Sequence, residues 1–160
     1  MKWLMKWLLI LIIICLPMVI FIKFMSRENH RRKLSDPNVV KQKLKKYSHL
    51  MDIEFPPSTR LINFKEYYGI DDTVYLKIEI DKKKLQNFLT NSPFANEILA
   101  EPKDNPIPDI GFVGPSWWNT KSVKNWKSGQ IRLPNLSYLN IFLDLDHTDK
   151  IIIYLEWFTA

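Results

Sequence analysis

Sixteen consecutive residues near the start of the chain, Trp7–Ile22 (WLLILIIICLPMVIFI), carry no charge. As a helix they rise about 24 Å, against a bilayer hydrocarbon core about 30 Å thick. Trp3, Leu4 and Met5 extend the run on one side, and Phe24 and Met25 extend it on the other. Lys6 and Lys23 fall inside that longer span, where a lysine near a helix end reaches back to the headgroups. Trp3 and Trp7 stand where an interfacial aromatic belt places them. Pro17 is tolerated in a membrane helix, with a kink. Residues 1–26 therefore read as a transmembrane signal-anchor.

A cleaved signal peptide is the rival reading, because Lys2 and Lys6 form a charged first region. No small-x-small cleavage site follows the apolar run, only Phe21-Ile22-Lys23-Phe24-Met25. Cys15 has Ile14 before it and apolar sequence after it, which does not suit a lipidation site. An uncleaved anchor is the expectation, with Cys15 a packing or lipid-facing thiol.

The net charge of +6 raises the question of nucleic acid. Residues 1–50 hold eleven Lys/Arg against two acids, a net of +9, and residues 51–160 hold twelve against fifteen, a net of −3. The basicity is juxtamembrane. Lys23, Arg27, Arg31, Arg32 and Lys33 are the expected lipid contacts, attracted to anionic headgroups by about 1 kcal/mol each close to the surface. A phosphate backbone calls for a basic stripe on the folded domain, so nucleic acid is not an expected partner. The richer C-terminal flank of the span favours a cytoplasmic domain by the positive-inside rule, whereas the export-like first residues favour translocation. Cysteine usage gives no compartment, since Cys15 is the single cysteine.

Residues 27–55 read as a basic juxtamembrane helix and linker. Ser35-Asp36-Pro37 supplies a capping side chain and a first-turn proline. Val40, Leu44, Tyr47 and Met51 then recur at helical spacing to about Leu50, with Lys41, Lys43, Lys45 and Lys46 on the other faces. Phe55-Pro56-Pro57-Ser58 stops the helix and opens a globular domain over 56–160. Thr59–Tyr67 and Thr73–Ile80 read as strands about the turn Gly69-Ile70-Asp71-Asp72. Asp81 is placed to cap a short helix, Lys82–Asn91, with Leu85, Phe88 and Leu89 on one face.

From Pro93 to Pro134 periodicity disappears among six prolines. Trp117, Trp118 and Trp126 lie in this stretch, which argues for an ordered loop. Leu139, Ile141, Leu143 and Leu145 then alternate with more polar residues. His147-Thr148-Asp149-Lys150 turns the chain, and Ile151, Ile153, Leu155 and Trp157 alternate back. The last strand is apolar on both faces, which suits a central position or cover on both sides. The fold class is α+β: a four-stranded, mainly antiparallel sheet with one or two helices and a long Pro/Trp-rich loop.

Asp144, Asp146 and Asp149 around His147 are the densest set of hard metal ligands, although their setting is ordinary turn composition. His30 and His49 have no obvious partner. Ser116, His147 and an Asp make a triad only on paper, and no P-loop, serine elbow or zinc-spaced pair is present. No cofactor is expected, and whether the chain is an enzyme stays open. Trp117, Trp118 and Trp126 are the candidate binding residues, able to stack on a glycan or line a groove for a protein, or else to pin the loop onto the sheet.

Pro57-Ser58, Gly69-Ile70-Asp71-Asp72 with Tyr75 and Lys77, Trp118, Gly129-Gln130 with Leu133-Pro134-Asn135, Leu139-Asn140-Ile141 and Ile153-Tyr154-Leu155-Glu156-Trp157 form a pattern over residues 56–158. The pattern resembles that of small membrane-anchored bacterial envelope proteins of no assigned function. The resemblance implies an exported domain on the inner membrane, favours the periplasmic side, and transfers no active site. The functional expectation is a single-pass, non-catalytic binding protein of the envelope. An envelope hydrolase or metal-dependent enzyme, and a toxin-immunity or exclusion protein, are the alternatives.

Overall fold

The computed structural model describes residues 34–102 and 114–159. The apolar run and Lys23, Arg27, Arg31, Arg32 and Lys33 lie outside the described residues. No helix among the described residues is long and apolar enough to cross a membrane. Residues 41–160 make up one compact unit, and of the residues before it only 34–40 are described.

Helix α1 spans Pro37–Met51. Asp36 opens it as the sequence suggests, its Oδ1 accepting the Asn38 N–H at 2.9 Å. Strands β1 (Arg60–Tyr67) and β2 (Thr73–Asp81) form a hairpin. A 3₁₀ turn, Lys82–Lys84, leads into the short helix α2, Leu85–Thr90. Asp81 stands at the start of that turn but makes no side-chain capping bond. Strands β3 (Trp126–Arg132), β4 (Tyr138–Asp144) and β5 (Lys150–Phe158) complete an all-antiparallel sheet of order β1-β2-β5-β4-β3.

The sheet thus has five strands, not the four that alternation announces. The additional strand is β3, WKSGQIR, inside the proline-rich stretch. Its apolar alternation is broken because neighbours fill its inward positions. A Cβ on Gly129 would stand 2.7 Å from Leu99 Cδ2, so Leu99 and Phe94 occupy the space that a side chain of β3 would take. Ala100 closes part of the outer edge of β3 through a two-way backbone bridge to Ser128. β5 is the central strand and is covered on both sides, which accounts for its continuous apolar run, Ile151–Leu155.

Register sorts the side chains onto two faces. Val74, Leu76, Ile78 and Ile80 of β2 align with Trp157, Leu155, Ile153 and Ile151 of β5, and those with Leu139, Ile141 and Leu143 of β4. This first face is covered by α1, whose Tyr47 ring lies 6.2 Å from Phe64, and by Phe94 and Leu99 against Gly129. Of the expected apolar stripe of α1, Tyr47 and Met51 are core and Val40 and Leu44 are half-buried; Ile53, just after the helix, is buried as well.

Two lysines of α1 are turned onto the sheet. Lys43 and Lys46 each donate to Glu66 of β1, at 2.8 and 2.7 Å, and the Tyr47 hydroxyl donates to the same carboxylate at 3.0 Å. Burial opposes ionisation of Glu66, but the three donors outweigh it and hold its pKa at about 2. A register shift between Leu61 and Asn63 is a bulge, and Ile62 there packs on the second face.

Candidate functional site

The second face carries the aromatic residues. Val123, Trp126, Phe142, Ile152 and Tyr154 form a buried cluster, with Ile62, Ala100 and Trp118 packed against it. Trp126 is 3 % exposed and stacks on Phe142 at 5.7 Å, so its ring is core and is not presented to a partner. Trp118 is inserted edge-on between Tyr75 and Tyr154, 5.1 Å from each ring. Trp117 lies half-buried against Trp118 at 5.8 Å, at the rim of the face. A turn from Pro115 O to Trp118 N, 2.7 Å, sets this arrangement. Gly114 allows it, because a Cβ there would come within 3.0 Å of the Trp118 side chain.

The aspartates around His147 serve the same loop. Asp146 accepts the backbone N–H groups of Lys124 and Asn125 through both carboxylate oxygens, at 2.9 and 2.8 Å. Those two bonds hold Asp146 below the usual carboxylate range. Asp144 accepts the Asp146 N–H at 3.1 Å, and His147 Nε2 stands 3.8 Å from its other oxygen. Asp149 is exposed in the turn, where its carbonyl accepts the Lys82 N–H at 3.0 Å. Among the described residues no group of three or more His, Cys, Asp and Glu is placed to hold a metal ion. His49 is exposed on α1, and His30 lies outside the described residues.

Between the aromatic cluster and the open end of the sheet runs a row that sequence reasoning did not single out as a site. Tyr75, Glu156, Asn140 and Gln130 stand in register on β2, β5, β4 and β3. Gln130 Nε2 donates to Asn140 Oδ1 at 2.8 Å, and Asn140 Nδ2 donates to Glu156 Oε2 at 2.7 Å. Tyr75 is buried in register with Glu156; its burial and that carboxylate both push its pKa up. Glu156 is 5 % exposed and, among the described residues, no Lys, Arg or His forms an ion pair with it.

A carboxylate withdrawn from water and held only by neutral donors keeps most of its desolvation cost. It has lone pairs for two or more further donors and a charge that a cation would offset. Aromatic rims beside such an anion also favour cations. Here the rings on the same face are Tyr75, Tyr154 and the stacked pair Tyr138–Phe158, whose rings are 5.3 Å apart, and Lys77 Nζ lies 4.7 Å from the Tyr154 ring centre. The signal in the sequence was a lone acid within an otherwise apolar strand, IIIYLEWF.

No protein-family model, curated protein or solved structure matches this chain.

Proposed function

We propose that the chain is a single-pass, membrane-anchored protein of the bacterial envelope whose domain binds a partner and performs no catalysis. Trp7–Ile22 supports the anchor and the basic stretch after it supports contact with anionic lipid, while the resemblance over residues 56–158 favours the periplasmic side. The observation that carries the binding role is Glu156. It is a buried carboxylate that forms no ion pair among the described residues, on the face whose rim carries the half-buried Trp117. A lysine, arginine or amino-sugar group of a protein or envelope component entering there would offset the charge and stack on the rim.

A photoreactive side chain placed at Trp117 in cells tests this reading. It gives a discrete covalent adduct, Glu156→Gln in the same chain removes most of it, and the same group at Lys83, on the 3₁₀ turn before α2, gives none. An adduct indifferent to Glu156→Gln would remove the site. Recovery of the protein in the soluble fraction with a new N-terminus beyond Met25 would remove the anchor.

A further inference from the structure

Five large apolar or aromatic residues are exposed among the described residues: Tyr67, Tyr68, Ile70, Ile98 and Leu136. Four of them gather at one end of the sheet. Tyr67 ends β1, Tyr68 and Ile70 belong to the β1–β2 turn, and Leu136 belongs to the β3–β4 turn. Register brings these turns to the same end, since Thr73 pairs with Phe158 and Phe158 pairs with Tyr138.

Leu136 is informative in itself. Its φ is +67°, a left-handed conformation that glycine or asparagine adopts at less cost, and its side chain is 64 % exposed. Folding of the turn does not call for a leucine there. An apolar side chain held outward in an unfavourable backbone conformation fits a role in contact with something apolar.

Both signs of charge lie around this end, and Lys43, Lys46, Lys65 and Arg132 exceed Glu66, Asp71 and Asp72 by one. Lys46 Nζ donates to the Tyr68 hydroxyl at 2.7 Å, Lys65 lies 5.3 Å from the Tyr67 ring centre, and Arg132 lies 5.9 Å from that of Tyr138. Asp72 is engaged, its Oδ1 accepting the Gly69 N–H at 3.0 Å, and Glu66 is held by two lysines, which leaves Asp71 as the exposed acid of the tip. Tyrosines, single aliphatic side chains and flanking lysine and arginine are the composition of a surface seated at the headgroup level of a bilayer.

The path of the chain agrees. The compact unit begins at Lys41, and Lys43 and Lys46 bond Glu66 and Tyr68, so the polypeptide enters the unit at this end. Eighteen residues, 23–40, separate it from the apolar run, a tether of no more than about 60 Å even when extended.

We infer that the sheet end formed by Tyr67, Tyr68, Ile70 and Leu136, with Lys46, Lys65 and Arg132, is a second membrane contact, seated on anionic headgroups and holding the domain in a fixed orientation. The inference rests on the anchored reading above. Its occupant is the bilayer; a partner protein would need no anionic lipid.

Spin-label accessibility on the full chain in vesicles tests it. Labels are placed singly at Ile70→Cys, Leu136→Cys and Ile98→Cys in a Cys15→Ala chain, and at the native Cys15 in the unaltered chain. In vesicles of phosphatidylcholine with phosphatidylglycerol, labels at Ile70 and Leu136 become several-fold more accessible to oxygen than to a water-soluble nickel chelate. The label at Ile98 stays in water, and phosphatidylcholine alone weakens the effect. Labels at Ile70 and Leu136 that stay in water while Cys15 lies in hydrocarbon would overturn this inference and leave the anchor standing. A water-exposed Cys15 would overturn the anchor itself.

Discussion

The two faces of the sheet are built from the same strands at the same register, yet they are held by different forces. On the helix side, Val74, Leu76, Ile78, Ile153, Leu155 and Ile141 meet Tyr47, Met51 and Phe94 with few polar atoms between them. Such packing is non-directional and depends chiefly on area removed from water. On the loop side, each position depends on orientation: Trp118 edge-on between two tyrosines, Asp146 on two backbone N–H groups, and Glu156 at the centre of a hydrogen-bonded row. The helix side makes the fold stable. The loop side holds a buried carboxylate that forms no ion pair among the described residues, and it is the face to which we assign recognition.

The largest expected effect belongs to the helix side. Leu76→Ala, at a fully buried position of β2, lowers unfolding free energy by about 2–5 kcal/mol in denaturant titration. Trp118→Ala on the loop side has a smaller cost, about 2 kcal/mol, because the ring is only partly buried and its loss frees a loop rather than opening a closed cavity. Equal costs at the two positions would show that the loop is as much core as the helices, and the contrast between faces would fall.

The smallest effect is at the seam where α1 meets β1, and it appears only in acid. The folded pKa of Glu66 is about 2 against an ordinary 4.5, so its contribution is complete above about pH 4.5 and is lost as pH falls toward 2. Glu66→Gln flattens the acid limb of the stability profile within that window and leaves the slope at neutral pH unchanged. An unaltered acid limb would mean that Lys43 and Lys46 do not fasten the helix to the sheet. Both lysines are partly exposed, and the gain from such pairs is small.

Legibility followed periodicity. β2 and β5 alternate, or run continuously apolar, because they are bordered on both edges and fill their own inward space, so both were readable. The start of α1 was readable from Asp36 and Pro37, whose effect is local. β3 was not, because its inward space is filled by Leu99 and Phe94 and its outer edge is paired by Ala100, residues brought there by the fold. The tryptophans were identifiable as an ordered set, but nothing local distinguishes Trp126, stacked in the core, from Trp117 at the rim. Asp146 looked like a metal ligand because its residue type suits hard cations; that its oxygens are taken by Lys124 and Asn125 depends on two loops meeting.

Amino-acid order alone determined the properties that depend on near neighbours: an uncharged run of sixteen residues, the charge reversal near residue 50, the turns, and strands able to lie in a mixed α+β domain. Three-dimensional packing decided the rest. It brought Tyr75, Glu156, Asn140 and Gln130 into one row from positions as distant in the chain as 75 and 156, and it put Leu136 and Ile70 at the same end of the sheet. The reason is range. Capping, turn and burial preferences act within a few residues, whereas desolvation of a carboxylate and grouping of exposed side chains depend on what the folded backbone places beside them.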